Sequence, residues 1–188
     1  SDTSLIDYRK LTYMLIIATI PIVLAGLGFS DFIEDRIFNV SSIAIANLIF
    51  AIVLFIVFLN RKENLSIFEI SFKAALLIGL FQCFALIPGA SRSGMAITGA
   101  LLIGLNLKDA SKFTFLLSIP TIAGALIFLL VDFNQINFDY LNMLIGFVVS
   151  MIVAFFTIKY FLAFVERIGM LPFVIYRVIL GLMLLIIF

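Results

Sequence analysis

The sequence predicts an all-α integral membrane protein with about five transmembrane helices and one re-entrant helical hairpin. Of the 188 residues, 64% are hydrophobic, whereas soluble domains contain about 45–50% apolar residues. The mean hydropathy is +1.30, and only 12 basic and 11 acidic residues carry charge. These residues are too few to cover the surface of a soluble domain of this length.

The same composition excludes several other classes of protein. A net charge of +1 argues against a nucleic-acid-binding surface, and a single cysteine argues against a secreted disulfide scaffold. The hydrophobic content argues against intrinsic disorder. The absence of histidine removes the side chain that most often moves protons near neutral pH.

Five apolar segments are candidates for membrane spans, because about 20 apolar residues cross the ~30 Å hydrocarbon core. The fourth segment is either continuous or broken near Lys159 and Tyr160. Pro172 suits the first turn of the fifth helix. No separate soluble domain is expected, so residues 1–188 form a single polytopic domain. The five segments are residues 11–29, 43–59, 111–131, 141–164 and 172–188.

The stretch between Lys73 and Lys108 does not fit a simple crossing. It contains two apolar segments, each reaching only about 20 Å at ~1.5 Å per residue, with Pro88 and Gly89 between them. We therefore predict a re-entrant hairpin over 74–107. Irregular backbone at membrane depth occurs where protein buries it or water reaches it, so the turn should line a site.

Charge placement supports this topology. With a cytoplasmic amino terminus, nine Lys and Arg residues fall on the cytoplasmic side and only Arg36 falls outside, as the positive-inside rule requires. A single crossing would instead move Lys108 and Lys112 outside.

Two local patterns belong to the hairpin. Ser66 and Glu69 form a capping box that predicts the start of its first helix. Ala96, Ala100 and Gly104 recur at four-residue spacing and predict a close approach of the second helix to a neighbour.

The tip of the hairpin predicts an anion site. Arg92 at this depth costs several kcal/mol unless it is paired or hydrated. Two hydroxyl groups flank it, glycines allow a sharp turn, and the following helix directs its free amides at the loop. Phosphate or pyrophosphate is the anion that uses all these donors. The alternative is a purely structural hairpin whose arginine only binds backbone carbonyls. The candidate catalytic residues are Arg92, Ser91 and Ser93, and the candidate substrate-binding residues are Gly89, Ala90, Gly94, Gln82 and Thr98.

Other polar residues leave alternatives open. Gln82 is placed to reach the tip or to form an interhelical hydrogen bond, and Thr98 also suits a bond to its own helix. For Arg177, snorkelling to the cytoplasmic interface is favoured over pairing with Gln82 or a ligand phosphate. Asn47 has no assigned role.

At these positions the sequence resembles the undecaprenyl pyrophosphate phosphatase, or bacitracin-resistance, family. The resemblance is carried by residues 79–82, 85–94 and 115–120 and by Tyr176-Arg177, and it extends from the first span onward. It implies a bacterial inner-membrane enzyme that hydrolyses undecaprenyl pyrophosphate, regenerating the lipid carrier for cell-wall synthesis. It also implies inverted repeats whose re-entrant tips meet in the membrane.

The sequence departs from the family pattern in two places. Ala96 stands where the family has threonine, and the amino-terminal motif with two glutamates, serines and a histidine is not found. We therefore expect this chain to be the carboxy-terminal two-thirds of a longer protein, inactive alone. The resemblance implies a divalent cation, Mg²⁺ or Ca²⁺, bound by those glutamates, so no metal ligand is assigned in this chain.

No base is assigned to activate Ser91 or Ser93, so binding is their expected role rather than nucleophilic attack. The expected partners are a polyprenyl pyrophosphate lipid and the bilayer, and a homo-oligomer is left open. The alternative function is a transporter or flippase of a prenyl phosphate or other anion, because transporters also place re-entrant helix ends at an anionic substrate. A purely structural membrane subunit ranks last.

Overall fold

The computed structural model describes residues 2–28, 39–131 and 139–188, and within them the chain is helical with no strand. Two short 3₁₀ turns, Ile67–Glu69 and Phe84–Leu86, flank the first hairpin helix. Phe29, the end of the first predicted span, lies outside the described residues. The helices are α1 (Asp2–Gly28), α2 (Val40–Leu59), α3 (Phe72–Cys83), α4 (Arg92–Leu102), α5 (Leu107–Val131), α6 (Tyr140–Ile168) and α7 (Leu171–Ile187).

Four of the described helices, α1, α2, α5 and α6, have the length and composition to cross a membrane. The fifth predicted span corresponds to α7, whose 17 residues lie at the short end of the range for a transmembrane helix. The all-α, multi-pass membrane fold is thus confirmed. Helix α6 continues through Lys159 without a break and leaves its side chains almost entirely exposed, as a lipid-facing helix does.

The short helices α3 and α4 form the predicted re-entrant hairpin. Before α3, the amide of Leu65 donates to the carbonyl of Gly104 at 2.9 Å, and the amide of Asn106 donates back to the Leu65 carbonyl at 3.2 Å. These bonds join the start of the hairpin to its end. The two outer ends therefore lie at the same end of the molecule.

The capping box is present, but it does not begin the first hairpin helix. Glu69 accepts a hydrogen bond from the Ser66 amide at 2.7 Å and closes only the 3₁₀ turn. Helix α3 begins later, at Phe72, where the Ser71 hydroxyl accepts a bond from the Ala74 amide. The box therefore predicts the entry of the hairpin but misplaces its first helix by several residues.

Helix α4 lies in the core, packed against α2, α3 and α5. Ala96 and Ala100 are fully buried, and a close approach to α3 also occurs at Gly99, where an added Cβ would lie 2.9 Å from the Phe81 Cβ. Gly104 instead follows the helix end with a φ of +96°. The small-residue stripe thus predicts tight packing, to which Gly99, outside the stripe, also contributes.

Charged side chains gather where the hairpin begins and ends. The Lys10 ammonium donates to the Phe68 carbonyl at 2.9 Å, and Lys108 pairs with Glu166. These contacts connect α1, the hairpin entry, α5 and α6 at one end of the molecule. They agree with the grouping that the positive-inside rule predicts for the cytoplasmic side.

Candidate anion site at the hairpin tip

The chain reverses at Pro88 and Gly89, which fit this turn for different reasons. The α3 helix tightens into the 3₁₀ turn Phe84–Leu86 before the proline, which cannot continue a helix. Gly89 has a φ of +95°, and a Cβ there would lie 2.3 Å from the Ile43 carbonyl oxygen of α2. Only glycine therefore allows the tip to turn this sharply and lie against α2.

Ser91 begins α4 in a strained conformation. It is the N-cap residue, with a φ of +68°, in a region that non-glycine residues rarely occupy. Its Oγ accepts a hydrogen bond from the Gly94 amide at 3.3 Å, which leaves the hydroxyl hydrogen free to donate elsewhere. Strain of this kind is maintained only where the surrounding structure fixes it, and it is common at functional sites.

Arg92 and Ser93 are the first two residues of α4. Their backbone amides have no carbonyl acceptor within the helix, because no turn precedes them, and they lie at the positive end of the helix dipole. Both side chains are partly buried, and neither has a hydrogen bond or ion pair to any other part of the chain that the structure describes. The tip therefore brings a guanidinium, two hydroxyls and helix amides together with donors to spare, as an anion site requires.

The structure reduces the number of predicted backbone donors. Ala90 is fully buried, and its amide already donates to the Ile87 carbonyl at 3.0 Å. The Gly94 amide is used by Ser91, while Gly94 itself leaves space for a neighbouring guanidinium. Ala90 and Gly94 thus shape the site rather than donate to a ligand.

Two predicted binding residues use their side chains in hydrogen bonds within the protein. Gln82 is 1% exposed and donates from Nε2 to the Thr121 hydroxyl of α5 at 3.2 Å, which is the interhelical alternative. Thr98 is fully buried and donates to the Gly94 carbonyl at 2.7 Å, within its own helix. These contacts use both side chains within the helical bundle, and they do not support a substrate-binding role for either. Their spacing along the sequence does not show which face of the helix they occupy.

Arg177 in α7 belongs beside the tip, and the expectation that it snorkels to the interface is wrong. It is 3% exposed, its Nη2 donates to the Gly89 carbonyl at 2.7 Å, and its Nε donates to Asn47 Oδ1 at 2.7 Å. Pairing with Gln82 is also wrong. Asn47 was missed altogether, although a lone amide inside an apolar span is itself a signal of a buried polar contact.

The described tip residues do not fit a metal ion. Their free groups are cationic or neutral donors, and no group of three or more His, Cys, Asp or Glu side chains gathers among the described residues. We therefore derive no step from the divalent cation that the resemblance implies.

The fold and the site define a class: a multi-pass α-helical membrane protein with a re-entrant hairpin whose cationic tip suits an anionic headgroup. Sequence comparison then gives the family. The model for "Bacitracin resistance protein BacA" matches residues 3–183, and the chain belongs to this family.

Three curated relatives are each named undecaprenyl-diphosphatase. The relative from Alcanivorax borkumensis is 43% identical over 181 residues, covering 95% of this chain and 68% of its own length. The relative from Saccharophagus degradans is 42% identical, with 92% and 65% covered. The relative from Teredinibacter turnerae is 44% identical, with 93% and 67% covered. The chain thus spans roughly two thirds of the length of these relatives.

Proposed function

We propose that this chain provides the arginine-bearing half of an undecaprenyl-diphosphatase active site. The protein hydrolyses undecaprenyl diphosphate to undecaprenyl phosphate and inorganic phosphate. The observation that carries the proposal is Arg92, whose guanidinium stands without a protein partner among the described residues, at the tip of the hairpin. Membership of the BacA family and relatives that carry this enzyme name support it.

In this reaction water supplies the oxygen that bonds to the terminal phosphorus, and the bond from that phosphorus to the bridging oxygen breaks. The bridging oxygen leaves on undecaprenyl phosphate, and one proton is released overall. Negative charge shifts onto the bridging and terminal oxygens. Arg92 stabilises this charge with a fork of N–H groups, and the hydroxyls of Ser91 and Ser93 orient the headgroup.

The tip also explains how a lipid substrate reaches the site. Because the two outer ends of the α3–α4 hairpin are joined by hydrogen bonds at one end of the molecule, we expect its tip, with Arg92, to lie at membrane depth. The headgroup can bind there while the prenyl chain lies against apolar helix surfaces, whose side chains are widely exposed. We place the protein in the bacterial inner membrane, where such a carrier lipid resides. Assistance of hydrolysis by a divalent cation, Mg²⁺ or Ca²⁺, is part of the same proposal and rests on the family resemblance.

The test uses the natural protein, expressed from its own gene and reconstituted in liposomes with undecaprenyl diphosphate. Arg92→Ala should lower phosphate release about 100- to 1,000-fold, the usual effect of removing one oxyanion-stabilising donor. Arg61→Ala is the matched control, because it removes a partly exposed arginine that pairs with Glu63 just before the hairpin, away from its tip. This control should keep wild-type turnover.

Two results would contradict the proposal. Turnover of Arg92→Ala within about threefold of the Arg61→Ala control would show that the tip arginine does not stabilise the reaction. Movement of intact undecaprenyl diphosphate between leaflets without phosphate release would instead support the transporter alternative.

A further inference from the structure

A cleft of about 390 Å³ lies at the end of the molecule that the charge distribution assigns to the cytoplasm. Its walls come from the end of α2, the start of α5 and the end of α6. The hairpin helix α4 lies between this end and the tip, and its 11 residues span ~16 Å at about 1.5 Å per residue. The cleft is therefore separate from the anion site.

The cleft has an apolar floor and a charged mouth. Leu107 and Val165 line it and are buried, whereas Lys108, Glu166 and Arg167 line it and are exposed. Apolar side chains below and charged side chains above are the arrangement expected where membrane helices end at the headgroup level. The cleft thus lies at the interface rather than within the hydrocarbon.

The wall formed by α2 and the end of α6 has a fixed shape. Gly169 has a φ of +83°, and a Cβ there would lie 3.0 Å from Phe58 Cζ, so this turn packs closely against the ring. The Arg61 guanidinium carbon lies 4.0 Å from the centre of the same ring. Arg61 also donates to Glu63 and to the Phe58 carbonyl, each at 2.6 Å. Arg61 and Glu63 therefore satisfy each other and form part of the wall.

The opposite side of the mouth has unused positive charge. Lys108 pairs with Glu166, which neutralises that carboxylate and leaves the ammonium with two further N–H groups. Arg167 forms no hydrogen bond or ion pair with any residue that the structure describes, so its donors are free. Leu107 and Lys108 are also the first residues of α5, and the amino-terminal end of a helix favours an anion. The mouth therefore suits a phosphate group.

Apolar side chains continue from the mouth onto the outside of the molecule. Leu59 ends α2 beside the cleft, Phe164 and Ile168 belong to the last turns of α6, and all three are exposed. The rest of α6 is exposed along most of its length, as a lipid-facing helix is. A free phosphate would contact only the charged mouth. A phospholipid contacts both surfaces, because its acyl chains can lie along α6.

We propose that this cleft binds the headgroup of an anionic phospholipid from the cytoplasmic leaflet, with Arg167 and Lys108 as donors to its phosphate. A zwitterionic lipid would add an ammonium group, but both carboxylates of the described lining, Glu63 and Glu166, are already paired. Basic pockets between helices on this side of a membrane are suited to anionic headgroups. A lipid bound here connects α6 to α5, the helix on which it packs.

The test uses the natural protein, purified in detergent and titrated with phosphatidylglycerol or phosphatidylethanolamine, with bound lipid counted by native mass spectrometry. Wild type should bind phosphatidylglycerol more tightly than phosphatidylethanolamine. Arg167→Gln should lower the phosphatidylglycerol affinity about tenfold, the effect of losing a hydrogen bond to a charged group, and remove the preference. Lys112→Gln is the matched control, because Lys112 is an exposed cation one turn further along α5 and outside the lining. It should change the affinity less than about twofold, since exposed charges are screened by salt.

Three results would overturn the inference. Equal losses in Arg167→Gln and Lys112→Gln would show a general attraction of the basic surface for anionic lipid. Equal affinity of the wild-type protein for the two lipids would show that the cleft does not select an anionic headgroup. Displacement of bound phosphatidylglycerol by millimolar glycerol phosphate would show that the cleft takes a free phosphate rather than a lipid.

The Arg92→Ala variant separates this inference from the proposed function. It should bind phosphatidylglycerol as the wild-type protein does, because the cleft lies at the other end of the hairpin. Loss of phosphatidylglycerol in Arg92→Ala, with Arg167→Gln unchanged, would place the lipid at the tip and overturn the inference while leaving the anion site intact.

Thermal unfolding gives a second readout. A ligand that binds the folded state raises the unfolding temperature, so phosphatidylglycerol should stabilise wild type and Lys112→Gln more than Arg167→Gln. An equal rise in all three proteins would contradict a site at Arg167.

Discussion

Gly89→Ala tests whether the tip needs its observed turn. The alanine would have to adopt a φ of +95°, which costs a non-glycine residue about 1–2 kcal/mol. Its Cβ would also lie 2.3 Å from the Ile43 carbonyl oxygen. That oxygen belongs to the backbone of α2 and cannot rotate away, so the tip has to separate from α2.

Separation breaks the 2.7 Å bond from Arg177 to the Gly89 carbonyl. A hydrogen bond to a charged group contributes about 1.5–3 kcal/mol, so the total loss is about 3–5 kcal/mol. For a chain of this size each kcal/mol shifts the unfolding temperature by roughly 2–4 °C, and we expect a fall of about 6–20 °C. Phosphate release should fall about 100-fold, because a displacement near 1 Å has that effect on catalysis.

The assay is thermal unfolding of the purified protein together with phosphate release from undecaprenyl diphosphate. Gly146→Ala is the matched control, since its Cβ would meet nothing within 4 Å on helix α6 and alanine favours a helix. A Gly89→Ala variant that unfolds and turns over like Gly146→Ala would refute the described tip geometry.

Two further predictions concern the contacts around the hairpin. Asn47→Leu leaves the Arg177 Nε without its acceptor and should lower the free energy of unfolding by about 3–5 kcal/mol, as breaking a buried charged contact does. Thermal unfolding measures this loss, with the exposed Asn142→Leu as the control. Equal stability of the two variants would contradict the prediction. Hydrogen bonds from the Ser66 backbone and side chain lower the pKa of Glu69, so its contribution to stability is present above the unfolded pKa of about 4.3 and is lost as the pH falls through the lowered pKa. Glu69→Gln should therefore be less stable than wild type at pH 7, and the difference should shrink as the pH is lowered to 3. A difference in unfolding temperature that is the same at both pH values would refute this.

The hairpin can be predicted from the sequence because each feature that indicates it is local to the chain. The topology is constrained by segment length, by a proline-glycine break and by the distribution of lysines. None of these features depends on which helix packs against which. The bonds between Leu65, Gly104 and Asn106 agree with that prediction. Arg92 is predictable for the same reason, since an arginine at the centre of an apolar hairpin is costly wherever it points.

The contacts across helices are not predictable in this way. Arg177 stands early in an apolar helix, where snorkelling and burial give the same sequence pattern, and only the packing of α2 against α7 decides between them. Gln82 and Thr98 are close to the tip in sequence but face α5 and their own helix. Sequence separation gives the distance along a helix but not the neighbour that the side chain meets.

The re-entrant hairpin itself is tested most directly by labelling its two ends. Single cysteines replace Lys73 and Lys108, both exposed, in a Cys83→Ala background, and a membrane-impermeant maleimide is applied to vesicles of each orientation. Both cysteines should react from the cytoplasmic face only. Reaction of the two from opposite faces would mean that the chain crosses the membrane between them, and the tip with its anion site would not exist.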